Sequence, residues 1–587
     1  MNVDNRLIKN SFKGLFTVNA VSLISVMICM IIDSVITGQF LGAQALTASG
    51  LLAPIVLLCT MVSGIFGSGL GILCTRYMGM ANIKKVNSAF SIVIIATVTI
   101  GVIVSITLFF VSPILAGALS ANADSEQIRG YIQDYLRGYS IGVVFASSNA
   151  ALAGLMMLDN DKNRAVRSTF TVLVVDVVLD LANVLVFHGG MFGMALATSI
   201  SAMCGFAVMI MHFRKKGHII HFTREGLHSS DLKEAFLSGF SGNLNQMLNV
   251  IRGLVFSQFL LKFVSGSAVA ALAIANNSFN LVIAVFLAMF LSTTTLCSMM
   301  YGEGDKNSLT RALAVAIKYM LIIAVIVCGI FFIFSNQIAL LFLKGGEAEA
   351  LSQASLFIKF MAAQYFLNAL SYPVAGGFMG VRQFKFNYLV SILREGVFPI
   401  ASVLLLGLSF GIVGVEMGFV LSGIFTLAAA FIIPGILNRE FPKSASGFMV
   451  MPKGFGVSDD EMIEGSLKDM DDVIKMSEQA RRFCLSKGSD SKTALLCSLF
   501  IEEMAGNTVM HCFSGKGNNS IDVRLIYKDG YIIRLRDNGI PFDPVKWLEK
   551  NHSEDKSSGI GIRMIIGMAK DVQYIPALQM NNMIVTI

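Results

Sequence analysis

Three carboxylic acids stand inside apolar runs long enough to cross a bilayer. Asp33 lies in CMIIDSVITGQ, and Asp176 and Asp180 lie in VVDVVLDLANV. A spacing of four puts the latter two on one helix face, one turn apart. Acids in hydrocarbon are costly and mark functional sites by default. Two carboxylates that close in a low dielectric cannot both ionise cheaply, so one must hold a proton or the site must hold a cation. This is what a coupling site requires. The plainer alternative is a solvated vestibule whose acids have no role. Arg252, also in an apolar run, would either face a central cavity and contact an anionic substrate, or pair with Glu395 or Glu416. Those two glutamates read as solvated residues near helix ends.

A second constellation lies towards the C-terminal end, as three short motifs in fixed order. In FIEEMAGNTVMH, Glu503 and Asn507 are four apart on a helix and point the same way. In RLRDNGIPFDP, a strand runs into a turn carrying Asp537 and Gly539. In SSGIGIRMI, Gly559 and Gly561 open a helix, where bare backbone N–H groups suit a phosphate. Each motif alone is weak, since Gly-x-Gly and E-x-x-x-N recur by chance.

The elements that must hold these residues are of two kinds. Of the 587 residues 55% are hydrophobic and 14% charged, and the mean hydropathy is +0.69, so lipid must be the solvent for most of the chain. Twelve spanning stretches are expected between about residue 13 and about residue 437. The first is too long for a signal h-region and should stay in the mature protein. Connections alternate between basic, as at Lys84 and Lys85 or Arg164 and Arg167, and nearly free of Lys and Arg, as in GQFLGAQ. That bias places both termini in the cytoplasm. The net charge of +7 belongs to this pattern, and no nucleic acid need be invoked. The nine cysteines form no CxxC pair or Cys/His cluster and read as reduced packing residues.

An internal repeat divides the membrane part in two. Gly79 in RYMGMANIKK recurs as Gly302 in MMYGEGDKNS, and Leu46 as Val269, each 223 residues on; Gly193 recurs as Gly414, 221 on. Six spans per half give both halves one orientation, related by an axis along the membrane normal, with substrate between them. The expected division is an N-lobe at 1–224, a C-lobe at 225–438, a linker at 439–457 and a cytoplasmic domain at 458–587. In the last, SIDVRLIY and YIIRLRD should pair as a hairpin about Asp529-Gly530.

The run DSVITGQFLGAQALTASGL, with GGMFGMALATSIS and RYMGMANIKK, resembles the multidrug and toxic compound extrusion (MATE) family over essentially residues 10–440. The resemblance implies an all-α polytopic fold of two six-helix lobes. It also implies an N-lobe cation site made by Asp33, Asp176, Asp180 and Thr198, taking proton or sodium. Asp176 stands where the family often has Asn, which leaves that choice open. The repeat maps Asp33 onto Phe256, so coupling should be confined to the N-lobe. The three C-terminal motifs together resemble the nucleotide-binding boxes of the GHKL ATP-binding fold, an α/β two-layer sandwich, and DNGIPFDP is most like its anti-sigma-factor serine kinase branch. That resemblance implies ATP and magnesium as cofactors. Asn507 would be the magnesium ligand, Glu503 the general base or water-orienting acid and Asp537 the reader of the adenine amino group. Gly539 belongs to the same box, and Gly559 with Gly561 shapes a phosphate lid. Pro541 replaces a frequent glycine of the box that holds Asp537 and Gly539.

Together these readings describe a plasma-membrane antiporter that exports a small organic substrate and carries an ATP-binding appendage. The appendage either regulates transport or phosphorylates a cytoplasmic partner of the anti-anti-sigma kind. An ATP-powered pump lacks its GxxxxGK[ST] loop. A histidine kinase lacks a phosphoacceptor, since no histidine lies between His228 and His511. A lipid-linked oligosaccharide flippase and a membrane-anchored serine kinase with sensor helices remain as alternatives.

Overall fold

The computed structural model describes residues 4–587 apart from 121–125, 215–216, 265, 343–347, 453, 514–518 and 551–558. Ser557 and Ser558, at the start of the glycine motif, lie outside the described residues. The first half folds as α1 (Arg6–Ile36), α2 (Ala43–Gly79), α3 (Ile83–Leu119), α4 (Glu126–Leu158), α5 (Lys162–Ala182) and α6 (Gly190–Ile210). The second half folds as α7 (Ser229–Phe263), α8 (Gly266–Gly302), α9 (Lys306–Ile333), α10 (Ser335–Phe342), α11 (Ala348–Asn368), α12 (Ser371–Gly380), α13 (Phe384–Ile392) and α14 (Phe398–Asn438).

Among the described residues nine helical segments are long and apolar enough to cross a membrane. The expected span over 310–343 is divided into α9 and α10, and that over 353–379 into α11 and α12. The expected spans 386–409 and 411–437 are joined in one segment, Phe384–Asn438. Gly411 reverses that segment, with φ 61° and ψ −137°, a conformation open to glycine and strained for other residues. Gly414 then packs on Leu406 and Gly418 on Val403, an antiparallel hairpin.

The sequence repeat is a structural one. Asn82 and Asp305, 223 residues apart, cap α3 and α9, accepting from the backbone N–H of Lys85 and Ser308. Gly79 lies against the backbone of Met299 and Glu303, and Gly302 reciprocally against the backbone of Arg76, as a two-fold relation requires. Arg76 also pairs with Glu234, and Tyr77 donates to Asp231 at 2.7 Å. The halves are therefore shut against each other at the end bearing the N-terminus. Towards the far end Asn243 on α7 reaches Ser68 on α2 at 3.4 Å. Beyond that contact Leu58 and Val62 on α2, and Met247 and Ile251 on α7, are exposed.

A Cβ on Gly79 or Gly302 would collide with backbone, which cannot swing aside as a side chain can. Gly302→Ala should therefore prise the shut end apart at a cost of about 1–3 kcal/mol. A melting temperature in detergent that is lowered, together with faster thiol labelling of a cysteine placed at this end, would bear this out. An unchanged melt would count against it.

After α14 the expected linker is fixed to the C-lobe. Phe448 and Met449 are buried, Asn438 donates to the carbonyls of Gly447 and Met449 at 2.8 and 3.0 Å, and Phe455 stacks on Tyr301 at 4.9 Å. The C-terminal domain follows with β1 (Met462–Leu467), α15 (Met470–Ser486), α16 (Ser491–Asn507), β2 (Ile521–Tyr527), β3 (Tyr531–Asp537), α17 (Pro544–Lys550), α18 (Ile560–Met568), β4 (Asp571–Ala577) and β5 (Met580–Thr586). Its strands form one antiparallel sheet in the order β1-β2-β3-β5-β4, and β2 and β3 turn at Asp529 and Gly530, both at positive φ.

Strand alternation gives the sheet two different faces. Val523, Leu525, Ile533, Leu535 and Val585 form a core with Val473, Phe500 and Ile501 of α15 and α16. The opposite face carries Arg524, Arg534 and Arg536 and sits on the shut end of the helical part. Glu303 pairs with Arg534 at 2.9 Å and with Arg536. Asp305 meets Arg524 at 3.5 Å; burial would raise its carboxyl, but Arg524 and Arg536 outweigh burial and hold it below the ordinary range. The β4–β5 turn reaches the other half. Leu578 O accepts from Ser11 Oγ at 2.9 Å, Gln579 N donates to Asn160 Oδ1 at 2.9 Å, and Lys162 Nζ donates to Gln579 Oε1 at 3.2 Å. One domain thus touches both halves.

Candidate functional site

α1, α5 and α6 bring the three membrane acids together. Oxygens of Asp33, Asp176 and Asp180 all lie within 4.8 Å of one another, a span that one cation about 2.4 Å from each oxygen can bridge. Asp176 accepts from Ser201 Oγ on α6 at 3.1 Å, and Cys29 of α1 and Thr198 of α6 also reach its carboxyl. Asp180 is fully buried. Neither of its oxygens receives a hydrogen bond from any N–H or hydroxyl group, nor does one oxygen of Asp33. Buried acceptors without donors are expensive; a proton or a metal cation would compensate them.

Local backbone chemistry sets the acids in place. A π-helical turn, Thr37–Leu41, follows Asp33, and another, Asn183–Phe187, follows Asp180. Such turns are rare and concentrate at functional sites. Asn183 ties the α5–α6 connection, accepting from Gly189 N at 3.1 Å and donating to Gly190 O at 3.0 Å. A Cβ on Gly193 would collide with the Asn183 amide, which explains the glycines of GGMFG.

In the C-lobe Arg252 is paired with Glu395 at 2.9 Å. The expectation of solvated Glu395 and Glu416 is corrected: both are buried. Glu395 lies in a π-helical turn, Leu393–Val397, between α13 and α14, where Arg252 and Arg394 together neutralise it.

In the C-terminal domain the motif residues gather at the end of α16. Asn507 Nδ2 donates to Glu503 Oε1 at 3.1 Å. A Cβ on Gly561 would collide with the Glu503 carboxyl, so the first turn of α18 lies directly on that acid. Gly559, at φ 68°, packs on Trp547. A further π-helical turn, Thr508–Cys512, follows Asn507, and Gly539 packs on Cys512. Asp537 Oδ1 accepts from Gly539 N at 2.7 Å and from Asn581 Nδ2 at 2.8 Å. Cys29, Ser201, Asn581 and Arg394 were missed from the sequence. Ser201, a polar residue in an apolar helix three positions beyond Thr198, was the one with a visible signal.

The MatE family model matches residues 19–182 and 243–401, together more than half of the chain. This chain belongs to the MATE family. The match ends before the C-terminal sheet. Multidrug export protein MepA of Staphylococcus saprophyticus is 23% identical over 404 residues, covering 68% of this MATE chain and 87% of that protein. Probable multidrug resistance protein YoeA of Bacillus subtilis is 22% identical over 345 residues, 57% of this chain and 73% of that one. An outward-facing multidrug resistance MATE transporter superposes with a TM-score of 0.68 at 19% identity, covering 73% of this chain and 95% of its own. The shared MATE fold is thus that of the helical part.

Proposed function

We propose that this MATE protein is a cation-coupled antiporter of the plasma membrane that exports small organic, drug-like substrates by alternating access. The observation that supports it is the buried trio Asp33, Asp176 and Asp180, with Asp180 undonated. In this reading the chain crosses the bilayer twelve times. The nine apolar segments supply ten crossings, because the Gly411 hairpin counts twice, and α7 and the α11–α12 pair supply two more. Both termini are cytoplasmic, following the basic connections. The shut end is then the cytoplasmic gate. Proton or sodium enters from outside, neutralises the acids and allows the return to the inward-open state.

The test uses inside-out vesicles with a proton or sodium gradient, higher inside, and a fluorescent drug outside. One of the gradients should drive uptake, and ATP alone should not. Uptake indifferent to both gradients would refute the antiporter.

For the C-terminal domain we propose nucleotide binding of the GHKL kind and a regulatory role. Asn507 would hold magnesium, Glu503 would orient water, Asp537 would read the adenine amino group and the Gly559–Gly561 turn would meet the phosphates. What supports regulation is the docking: Arg536, one residue before Asp537, binds the gate residue Glu303, and Asn581 lies two residues from Gln579 in the turn against the N-lobe.

Burial pushes the Asp537 carboxyl up to about 6, against the Asn581 and Gly539 hydrogen bonds that hold it down. The ionised form accepts the amino proton, so nucleotide affinity should fall as pH drops through about 6, by roughly fourfold between pH 7.5 and 5.5. Titration with a fluorescent adenine nucleotide measures it. Asp537→Asn should weaken binding and erase the step; a step of unchanged size in that variant would discount this role for Asp537.

A further inference from the structure

The C-terminal sheet ends in a turn that packs as part of the helical domain. β4 and β5 pair as far as Ala577 and Met580, so the hairpin closes on two residues, Leu578 and Gln579. Both are left-handed, with φ 53° and 62°, the backbone of a turn that asparagine and glycine fill readily and leucine does not. Leu578 is nonetheless fully buried. Ala577, Leu578 and Met580 lie in one apolar core with Leu7, Ile8 and Phe12 of α1, and outside the core of their own domain. A hairpin tip made for solvent would be polar and unstrained; this one is made for another surface.

That surface is the N-lobe. Ser11 Oγ of α1 donates to Leu578 O, Gln579 N donates to Asn160 Oδ1 between α4 and α5, and Lys162 Nζ donates to Gln579 Oε1. The Gln579 carboxamide lies on Gly14 of α1, where a Cβ would collide with it. The same sheet holds the C-lobe through Glu303 with Arg534 and Arg536, and Asp305 with Arg524. It therefore spans the seam at which Gly79 meets Met299 and Gly302 meets Arg76. Alternating access must part that seam, so the sheet has to release one of the halves.

The two grips differ in kind. On the C-lobe Glu303, Asp305, Arg524 and Arg536 are ion-paired with side chains at most 6% exposed, and Phe448 and Met449 bury the preceding linker there. Breaking such pairs strands charge in a dry interface. On the N-lobe the tip keeps a strained turn, which persists only while its surroundings hold it. Gln579 Nε2 is buried there with no acceptor among the described residues, a further cost of staying seated. The tip is the side that lets go, and the domain stays with the C-lobe.

We propose that the Leu578–Gln579 turn is an autoinhibitory latch: seated on α1 and the α4–α5 connection it holds the shut end closed, and it must leave Gly14 and Asn160 before that end can open. This rests on the regulatory reading of the domain and gives it a device and a sign. A contact made only in the shut state raises the population of that state and slows departure from it. Asn581, bonded to Asp537 at 2.8 Å, stands two residues from Gln579 on β5, so one strand joins the latch to the nucleotide box.

The test uses the whole chain without nucleotide, so that a domain blind to ATP refutes nucleotide regulation and not the latch. Leu578→Asn combined with Gln579→Gly supplies a turn that favours left-handed backbone and removes the buried leucine and amide, so the hairpin stays formed and only its seat is lost. Asn160→Gly removes the acceptor from the opposite side and keeps the positive φ of Asn160. Opening is read by thiol labelling at Ser298→Cys, located by peptide mass spectrometry, since Ser298 is buried on α8 and donates across the seam to Ile72 O of α2. Labelling should quicken at least about fivefold in the double variant and about twofold in Asn160→Gly, and gradient-driven drug uptake by the double variant should rise about threefold. A bis-methanethiosulfonate bridge between Asn160→Cys and Gln579→Cys should suppress uptake about tenfold or more, reversibly with reductant and not in wild type treated alike. Labelling unchanged in both seat variants, or uptake undiminished by the bridge, overturns the latch. Quickened labelling with reduced uptake overturns its inhibitory sign. If neither gradient drives uptake in any variant, the antiporter fails and labelling alone decides the latch.

Discussion

Asp180→Asn should reduce gradient-driven uptake at least about a hundredfold while leaving the protein folded and more resistant to heat. Asn is nearly isosteric with Asp, so packing in α5 is kept. What changes is charge and donor content: the amide presents N–H groups to the Asp33 and Asp176 carboxyls, where Asp180 presents oxygens that no protein group donates to. Removing an uncompensated buried carboxylate typically gains about 1–3 kcal/mol, so the melting temperature in detergent should rise. The same amide can neither take up nor release the ion that drives the cycle, and the site is fixed as if permanently neutralised. Asp33→Asn should act alike. Ser201→Ala, which removes one donor from Asp176, should cost only about tenfold, within the range of one hydrogen bond to a charged group. Gradient-driven uptake that survives Asp180→Asn would end the cation-site reading, and the raised melt separates lost coupling from lost fold.

The acids were legible because their type conflicts with their surroundings. Asp33, Asp176 and Asp180 each interrupt an apolar run, and the four-residue spacing of two of them fixes a common helix face. Of the groups that reach Asp176, Thr198 was implied by the family resemblance and Ser201 carried only the signal of a polar residue in an apolar helix, while Cys29 comes to it only through the packing of α1 on α5. The π-helical turns after Asp33 and Asp180 leave no mark in hydrophobic period either. They re-aim a helix face by one residue, which only the folded backbone reveals.

Glu395 and Glu416 show the opposite failure. Rules for membrane charge place an acid near a helix end in solvent, and that is right when no cation is at hand. Glu395 is followed in space by Arg252, 143 residues away, and by its own neighbour Arg394, so its burial is a property of the tertiary fold. The packing of the linker was equally invisible: NREFPKSASGFMVMPKGFG has the glycines, prolines and serines of a connection between domains, and its apolar residues Phe448 and Met449 are buried against the C-lobe. The repeat, by contrast, was fully visible, since Gly79 and Gly302 are held by a backbone approach that admits no side chain.

Reversing one charge at the docking surface should loosen the C-terminal domain on the gate. Glu303 is nearly inaccessible and faces both Arg534 and Arg536, and Asp305 beside it faces Arg524. Arg536→Glu would leave two like charges against each other in a dry interface, at a cost on the order of 3–5 kcal/mol. Of the remaining links, Gln579 to Asn160 and Lys162 and Arg311 to Glu464 at 3.3 Å are exposed or half-buried and contribute less each, whereas Arg524 to Asp305 and Ser11 to Leu578 are buried and stay. The sheet should therefore loosen at Glu303 while staying held at those two contacts and through Phe448 and Met449. Because Arg536 and Asp537 are consecutive on β3, and their register partners Asn582 and Asn581 are consecutive on β5, nucleotide at Asp537 bears on the same two strands that hold Glu303. Adding magnesium and ATP should then change wild-type transport about threefold under a fixed gradient, a coupling of under 1 kcal/mol. In Arg536→Glu the response should vanish although nucleotide still binds. The paired exchange of Arg536→Glu with Glu303→Arg should restore part of it, since the new pair keeps its opposite signs. A full nucleotide response in the single variant, measured with the sheet shown to be loosened by its sensitivity to protease, would mean that the docked sheet does not govern the gate.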